Sequence, residues 1–215
     1  MRFPLICFDL DGTLVDDTVY IWSTFHEHFA TDAERRARAR DDFYAGRITY
    51  RQWFDNDLEL LDEAGATRAS MVELIRTLPV MPGAVELLGE LRRQGRKIAV
   101  ISGSVDLVVE TLFPAEAFDA LLINRLTVDA SGRLDGGEPT PYDIDRKAEG
   151  LQILARREGL SPAQTVFVGD NANDVAVARA AGRSIAFNCK SEDLARVADV
   201  VVAEHDLWAV LPHLE

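Results

Sequence analysis

The sequence predicts a doubly wound parallel α/β sheet with a helical cap inserted after its first strand. Six short apolar runs alternate with helical patterns along the chain, namely LICF (5–8), KIAVI (97–101), ALLI (120–123), TVFV (165–168), SIAF (184–187) and DVVV (199–202). Nearly continuous apolar runs separated by helices are typical of parallel strands that are buried on both faces. Between the first two runs, residues 16–80 show helical periodicity and no strand pattern.

The helices of the sheet region have clear start and stop signals. The segment PGAVELLGELRRQG has Pro82 near its start and Gly95 just past its end. The segments KAEGLQILARREG and NDVAVARAAG stop at Gly159 and Gly182. Because proline in the first turn and glycine after the last turn mark helix boundaries, these segments are predicted to connect the strands.

The helical insertion divides the chain into two predicted domains, a core of residues 1–15 and 81–215 and a cap of residues 16–80. A structureless loop of this length would be unusual. The cap segment is rich in aromatic residues, which we expect to form a small core of their own: Trp22, Phe25, Phe29, Phe43, Tyr44, Tyr50, Trp53 and Phe54. A shorter insertion at residues 124–145 has a Ser-Gly turn between alternating runs and predicts a hairpin followed by a loop.

The composition argues against several kinds of partner. The 215 residues include 36 acidic residues and 23 lysines and arginines, for a net charge of -13. Such a chain would repel a nucleic-acid backbone, and its one dense basic patch, ERRARAR (34–40), is interpreted as a solvated helix face. No segment reaches the roughly 20 consecutive apolar residues that a membrane span needs. We therefore expect neither a nucleic-acid partner nor a membrane partner.

The cysteines and the N-terminal residues bear on location. Cys7 and Cys189 each lie in an apolar, strand-like setting without metal-ligand spacing, so both are expected to be core thiols in a reducing compartment. The first apolar run leads directly into aspartates, without the small-residue cleavage site of a signal peptide. The expected location is the cytoplasm, and the expected assembly is a monomer or a homodimer.

Four polar motifs follow predicted strands or begin a predicted helix. They are DLDGT (9–13), ISGS (101–104), Lys147 and VGDNAND (168–174). Each motif alone has an ordinary interpretation, as a helix cap, a tight turn, a surface lysine or a polar loop. Parallel strands present their carboxyl ends at one edge of a sheet, where ligands bind. The joint occurrence of the four motifs in this order favours a functional site at that edge.

The candidate site is strongly acidic. Asp9, Asp11, Asp170 and Asp174 are predicted to converge there, and Lys147 is the only cation that the four motifs single out. A phosphate substrate would add negative charge, so the carboxylates need a small hard cation to stay ionised together. Oxygen ligands of this kind favour Mg²⁺. A magnesium site would explain why a buried strand ends in a pair of aspartates.

The four motifs resemble those of the haloacid dehalogenase superfamily, in its phosphatase branch. The likeness covers nearly the whole chain. The segment from GDNAND to DVVV (169–202), the NRL at 124–126 and the position of the cap are similar to the phosphoserine phosphatase group. The resemblance implies a Rossmann-like core, Mg²⁺ as cofactor, a small-molecule phosphomonoester as substrate and hydrolysis through an aspartyl-phosphate intermediate.

The resemblance also implies catalytic and phosphate-binding roles. Asp9 would be the nucleophile that attacks phosphorus. Asp11 would protonate the leaving oxygen and later deprotonate the attacking water. Ser102 and the amide of Gly103 would hold the phosphoryl oxygens, while Lys147 would neutralise charge on the phosphate and on Asp9.

The same resemblance implies a set of metal ligands. These are the carboxylate of Asp9, the backbone carbonyl of Asp11 and the carboxylate of Asp170. Asp174 would stand behind them and orient a metal-bound water or the catalytic lysine. Asn173 would reach the phosphate.

The cap departs from the phosphoserine phosphatase pattern at two substrate-binding positions. In that group, an acid in the loop leading into the cap and an arginine in a cap helix bind the amino acid. The ungapped positions here are Thr18 and Asp55, with Arg51 one helical turn earlier. A substrate carboxylate needs a cation, ideally an arginine, so we expect a substrate other than phosphoserine. An acid near aromatic residues such as Trp53 would favour an amine or a quaternary ammonium instead.

Several alternatives stay open on these residues. A dehalogenase has no use for an acid two residues after the nucleophile, and Asp11 is such an acid. A phosphoserine phosphatase or a phosphotransferase would share the aspartyl phosphate. A non-catalytic metabolite-binding module would be suggested by loss of Asp9, Asp11 or Lys147, and all three are present. For an enzyme that acts on a phosphate ester, we expect the cap of this chain to close over the core, with hinges near Val15–Thr18 and Leu78–Pro82.

Overall fold

Seven strands form a single sheet with the first strand at its centre. The computed structural model describes residues 2–215. The strands are β1 (Leu5–Phe8), β2 (Lys97–Val105), β3 (Ala120–Val128), β4 (Leu134–Glu138), β5 (Thr165–Gly169), β6 (Arg183–Phe187) and β7 (Val200–Val202). Their order is β4-β3-β2-β1-β5-β6-β7, and all neighbours are parallel except β3 and β4. The predicted parallel α/β sheet is confirmed, and β3 and β4 form the predicted hairpin.

Nine α-helices accompany the sheet within residues 2–215. They are α1 (Ile21–His28), α2 (Ala33–Tyr44), α3 (Tyr50–Glu63), α4 (Arg68–Ile75), α5 (Ala84–Arg93), α6 (Asp106–Leu112), α7 (Lys147–Arg157), α8 (Val175–Ala180) and α9 (Glu192–Val197). Helices α5, α7 and α8 are the three predicted from start and stop signals. None of the helices in this part of the chain is long and apolar enough to cross a membrane.

Alternate side chains of β1 point into two hydrophobic clusters. Leu5 and Cys7 pack with side chains of α7 and α8. Ile6 and Phe8 belong to a second cluster, which contains side chains of α5. Because successive side chains of a strand point to opposite faces, helices cover both faces of the sheet, as a doubly wound fold requires.

Helices α1, α3 and α4 pack onto the same cluster as one face of the sheet. Phe25 of α1, Phe54 of α3 and Ile75 of α4 are buried in the cluster that contains Ile6. The expected separate small core is therefore present only in part. Trp22, Phe25, Phe29 and Phe54 pack with the side chains of the sheet. Phe43, Tyr44, Tyr50 and Trp53 pack against one another instead. The division into a core of residues 1–15 and 81–215 and a cap of residues 16–80 stays a prediction.

The two connections to the helical segment run side by side. The Asp16 N–H donates to the carbonyl of Pro79 at 2.9 Å, and the Met81 N–H donates to the carbonyl of Leu14 at 2.9 Å. These bonds pair the chain leaving the sheet region with the chain returning to it. They lie within or beside the two predicted hinge segments, whose movement stays a prediction.

Candidate active site

The carboxyl ends of three neighbouring strands bring the sequence motifs together. Phe8, the last residue of β1, lies beside Val100 of β2 and Val168 of β5. Three predicted site residues lie one or two positions further along and are almost fully buried: Asp9 directly after β1, Ser102 within β2 and Asp170 directly after β5. The pairing of the three strands therefore brings these residues together at one edge of the sheet, as the sequence motifs predicted.

Lys147, the first residue of α7, joins two of the aspartates. Its Nζ lies 2.8 Å from Asp9 Oδ2 and 2.8 Å from Asp174 Oδ1, and its side chain is fully buried. Burial opposes the charge, but Asp174, Asp9 and Asp143 outweigh it and raise the pKa of Lys147 above its ordinary value. Lys147 therefore stays protonated near neutral pH, in contact with Asp9 and Asp174.

The two aspartates that follow β1 have different environments. Asp9 Oδ1 accepts a hydrogen bond from the Leu10 N–H at 2.7 Å, and its Oδ2 faces the lysine. Asp11 Oδ2 accepts from the Ile21 N–H at 2.7 Å, whereas its buried Oδ1 has no partner among residues 2–215. Burial raises the pKa of Asp11 to about 7, although the Ile21 N–H lowers it. A carboxyl group with that pKa can hold a proton near neutral pH, as a general acid must.

Three carboxylates form a group that could hold a metal ion. Asp9, Asp170 and Asp174 each offer one oxygen, and the three oxygens lie within 4.8 Å of one another. Burial and the charge of Asp9 raise the pKa of Asp170 to about 6. Carboxylates this close need a cation to stay ionised, and a set of oxygen donors alone suits Mg²⁺. The residues present therefore fit the expected ion. The side chain of Asp11 is not in this group, and its expected ligand is the backbone carbonyl.

Protein groups already occupy both oxygens of Asp174. Its Oδ1 faces Lys147, and its Oδ2 accepts hydrogen bonds from the N–H groups of Asp170 at 3.0 Å and of Asn171 at 3.3 Å. Burial raises the pKa of Asp174. These contacts suit a residue that orients its neighbours from behind the metal ligands.

The backbone at Gly103 is enclosed by contacts from three elements. Its carbonyl accepts hydrogen bonds from Trp22 Nε1 at 2.9 Å and from Asn124 Nδ2 at 2.6 Å. A Cβ on Gly103 would lie 2.1 Å from Asp143 Oδ2. No other residue fits without displacing that carboxylate. The contact from Trp22 connects α1 to the end of β2, the segment that is predicted to hold phosphate.

A cavity of about 610 Å³ opens onto these residues, a volume typical of small-molecule pockets. Its sheet-edge wall includes Asp9, Asp11, Ser102, Gly103, Asp170 and Asn173. Its opposite wall comes from α1, α2 and α3 and includes Trp22, Ser23, His26, Arg36, Arg40, Tyr44, Tyr50, Trp53 and Asp57. The Oδ1 of Asn173 is buried and has no partner in the described chain. All the predicted phosphate-binding residues except the buried Lys147 therefore line the cavity.

The cavity contains one of the four predicted specificity residues, Trp53. Arg51 and Asp55 pair with each other at 2.8 Å, each with about half of its side chain exposed, and they do not line the cavity. Thr18 is buried but does not line it either. The expectation for these three residues is thus corrected. On α3, the face that carries residues 53, 54 and 57 turns to the cavity, which places residues 51 and 55 on another side.

Arg36 places a positive charge in the cavity wall, although residues 34–40 were interpreted from the sequence as a helix face in solvent. It belongs to the ERRARAR segment, yet it is half-buried and lines the cavity. Its Nη2 donates to Ser23 Oγ at 3.3 Å, and its buried Nε has no partner within residues 2–215. Burial lowers the pKa of the guanidinium, and the charge of Asp57 raises it. The interpretation of residues 34–40 as a wholly solvated face is therefore wrong for this side chain.

Asp57 is the buried acid of the helical wall. Its Oδ1 lies 3.5 Å from His26 Nε2, and neither atom has a hydrogen-bond partner among the residues described. The His26 Nδ1 lies 2.8 Å from Thr31 Oγ1. Buried polar atoms are rarely left unpaired in folded proteins. Three such atoms, from His26, Arg36 and Asp57, at one wall form a surface that a charged ligand would complete.

Sequence reasoning missed Lys190 and Arg36 at the site, and it did not predict the contact of Trp22 with the Gly103 carbonyl. Lys190 follows β6, and its Nζ lies 2.8 Å from Asp170 Oδ2. Lys190 lies three residues after the end of β6, so a search for polar residues within a few positions of each strand end would also have found it. Trp22 and Arg36 have no such local signal, because their positions depend on how α1 and α2 pack over the sheet edge.

The fold and the site define a hydrolase of phosphoric monoesters. The chain belongs to the haloacid dehalogenase-like hydrolase family, whose family model matches residues 3–182. The match includes the strands and loops that carry all of the predicted core motifs.

Two relatives and one solved structure show the branch of the family. The chain is 29% identical over 215 residues to a phosphoserine phosphatase of Methanocaldococcus jannaschii, which spans 98% of this chain and 97% of that protein. It is 33% identical over 214 residues to one of Idiomarina loihiensis, with 96% and 91% covered. A solved structure described as a phospho-aspartyl intermediate analogue of phosphoserine phosphatase is similar with a TM-score of 0.78, at 28% identity and 100% of both chains. The resemblance to this branch is confirmed.

Proposed function

We propose that this chain is a Mg²⁺-dependent phosphatase that hydrolyses a small phosphomonoester through a phosphorylated Asp9. The observation that carries the proposal is the Lys147 ammonium, buried between Asp9 and Asp174 at the group that includes Asp170. Asp9, Asp170 and the carbonyl of Asp11 would hold the metal. When bound, Mg²⁺ would supply positive charge that offsets the carboxylates and the phosphate.

Two aspartates would divide the chemistry. In the first half-reaction, Asp9 forms a bond to phosphorus while the bond from phosphorus to the alcohol oxygen breaks, and Asp11 gives its proton to that oxygen. In the second, the ionised Asp11 takes a proton from water. The water oxygen then bonds to phosphorus and releases Asp9 and inorganic phosphate. A pKa of about 7 makes both states of Asp11 accessible near neutral pH.

The remaining core residues would bind the phosphoryl group. Ser102, Gly103 and Asn173 line the cavity beside Asp9, and their hydroxyl, backbone amide and side-chain amide groups would hold the phosphoryl oxygens. Lys147 would keep Asp9 ionised and in place. Fixed donors and cations of this kind stabilise charge that develops during the reaction.

Phosphoserine is the substrate that we propose. The two relatives described above, each of which matches nearly the whole chain, are both named phosphoserine phosphatase. Arg36 and Asp57 in the cavity wall offer a cation for a carboxylate and an anion for an ammonium. A substrate other than phosphoserine was expected because no cation for the substrate carboxylate was found at the aligned cap positions. Arg36 is a cation in the cavity wall that could take this role. An amine without a carboxylate is the competing class, because Asp57 would bind it too.

A phosphate-release screen tests this function. The purified chain is assayed with Mg²⁺ or with EDTA on phosphoserine, phosphoethanolamine, phosphocholine and a neutral sugar phosphate. We expect release only with Mg²⁺ and the highest kcat/KM for phosphoserine. No release from any ester would overturn the phosphatase proposal, and a higher kcat/KM for phosphoethanolamine would overturn the substrate. Transfer to an added alcohol in preference to water would identify a phosphotransferase.

A cytoplasmic location is part of the same proposal. Cys7 and Cys189 are free thiols, and Cys7 is fully buried. Burial raises the pKa of the Cys7 thiol, which keeps it unreactive. Free cysteines are usual in reducing compartments. Cell fractionation followed by immunodetection tests the location.

A further inference from the structure

Lys190 contacts the candidate metal group from the segment after β6. Its Nζ lies 2.8 Å from Asp170 Oδ2, and its backbone N–H donates to the Asp170 carbonyl at 2.8 Å. The Asp170 side chain is 1% exposed, and that of Lys190 is 35% exposed. The contact is therefore an ion pair between a buried acid and a partly buried cation, fixed by a second bond through the backbone.

The neighbouring backbone leaves room for this pair. Gly12 has a φ of +76°, in the left-handed region, and its carbonyl accepts a hydrogen bond from Asn188 Nδ2 at 3.0 Å. A Cβ on Gly12 would lie 2.6 Å from Lys190 Nζ and 2.2 Å from Asp170 Oδ2. Any other residue at position 12 would push the pair apart. The motif glycine and the pair are thus parts of one arrangement.

We propose that Lys190 is a positioning residue that limits Asp170 to one oxygen for a metal ion, and that the site thereby prefers Mg²⁺ to Ca²⁺. The inference rests on the metal dependence proposed above. Lys190 holds Oδ2, and the other oxygen of Asp170, Oδ1, accepts no hydrogen bond from the described part of the chain. Oδ1 is therefore the oxygen that remains for an ion.

The chemistry of the two ions gives the physical reason. Ca²⁺ takes about six to eight oxygen ligands and often binds both oxygens of one carboxylate, whereas Mg²⁺ keeps a stricter geometry. An ammonium on Oδ2 prevents Asp170 from binding an ion through both oxygens. The Lys190 ammonium therefore withholds Oδ2, which Ca²⁺ would use as a further ligand, and leaves Oδ1, which is sufficient for Mg²⁺. Its charge also weakens the binding of both ions, so the ratio of the two affinities reports the role.

Direct binding measurements test the inference without turnover. Titration calorimetry gives the Kd of Mg²⁺ and of Ca²⁺ for the wild type and for Lys190→Met. We expect Lys190→Met to raise the affinity for Ca²⁺ relative to Mg²⁺ by about tenfold, a usual effect of changes beside metal ligands. Lys97→Met is the matched control, because Lys97 also pairs with an aspartate, Asp119, at 3.1 Å. Its affinity ratio should equal that of the wild type.

The outcomes separate this inference from the proposed function. An unchanged ratio in Lys190→Met, with Mg²⁺ binding and phosphate release retained in the wild type, would overturn the role of Lys190 alone. A wild type that binds neither ion would overturn both. Lys190→Gln is the second variant if Lys190→Met folds poorly. Its side chain is uncharged but keeps an N–H donor, so it should give a shift in the same direction and no larger than that of Lys190→Met, and an unchanged ratio there would also overturn the inference.

Discussion

The Nζ of Lys147 lies 2.8 Å from the Oδ2 of Asp9, and both side chains are almost fully enclosed. The same nitrogen lies 2.8 Å from Asp174 Oδ1. One ammonium therefore serves two buried carboxylates. Removing one member of such a group leaves a buried charge without compensation, so loss of Lys147 should destabilise the fold.

Lys147→Met should lower the free energy of unfolding by about 3–5 kcal/mol, the usual cost of breaking a buried ion pair from one side. Urea denaturation of the metal-free protein at neutral pH measures the change. Lys97→Met serves as control, because it removes an exposed lysine from a pair with Asp119. Equal losses in the two variants would contradict the stabilising role of the buried pair.

Asp9→Asn should abolish turnover while the protein stays folded. A neutral amide is a poor nucleophile and a poor metal ligand. The loss should reach at least about a thousandfold, since each tenfold corresponds to about 1.36 kcal/mol of barrier. Phosphate release, thermal unfolding and the mass of the quenched protein provide the measurements. Asp11→Asn should also cripple turnover. A phosphorylated Asp9→Asn protein would show that another residue is the nucleophile.

The metal-free protein should lose stability as the pH rises from about 5 to about 7. Burial raises the pKa of Asp11 to about 7 and that of Asp170 to about 6, from an ordinary value of 3.8. The folded state therefore binds more protons than the unfolded state in this range, and the stability from those protons disappears as they leave. Thermal unfolding in EDTA at several pH values measures the trend.

Two further conditions check that trend. Asp11→Asn should make stability depend less on pH, because it removes one of the raised carboxyl groups. Mg²⁺ should restore stability above neutral pH, because an ion that binds the folded state alone stabilises it. Stability that rises with pH in EDTA, and no effect of Asp11→Asn, would contradict the prediction.

Trp22→Phe should lower kcat/KM by about two- to tenfold, the range expected when a hydrogen bond worth about 0.5–1.5 kcal/mol is lost. The change removes the bond from Nε1 to the Gly103 carbonyl and keeps an aromatic ring beside Phe54. Trp208→Phe, at an exposed position, is the control. If both variants keep the wild-type kcat/KM, the contact between Trp22 and Gly103 does not contribute to turnover.

The core of the site could be predicted because its signals are local. Asp9, Ser102 and Asp170 each follow an apolar strand, and the rule that parallel strands end at one edge places them together. Lys190 follows a strand in the same way and could have been found. The predicted metal and phosphate residues therefore rest on short stretches of sequence.

The cap residues could not be predicted from local signals. Arg36 lies in a run of charged residues that reads as a solvated helix, and only the packing of α2 over the sheet edge turns it to the cavity. On α3, two acids two positions apart lie on different sides. Asp57 is buried in the cavity, whereas Asp55 pairs with Arg51 in solvent. The ungapped comparison with the phosphoserine phosphatases therefore selected Asp55 by its sequence position. It could not show which side of α3 faces the cavity.

Arg36 lies in the cavity wall, where the carboxylate of the proposed substrate would bind. Arg36→Gln should lower kcat/KM for phosphoserine by about 10- to 100-fold, because hydrogen bonds to charged groups are worth about 1.5–3 kcal/mol. It should change kcat/KM for phosphoethanolamine little, since that ester has no carboxylate. Asp57→Asn should lower kcat/KM for both esters, because both carry an ammonium.

Arg51→Gln is the matched control, since it makes the same chemical change at an exposed arginine of α3 that does not line the cavity. Its kinetics should equal those of the wild type with both esters. The difference between the two esters in Arg36→Gln isolates the carboxylate, because a general loss of folding would lower kcat/KM for both. Equal losses with the two esters would mean that Arg36 supports the cap and does not bind the substrate. Losses confined to Arg51→Gln would identify Arg51, one helical turn before the ungapped position Asp55, as the substrate-binding arginine, which would then have to reach the cavity in a conformation other than the one it has here.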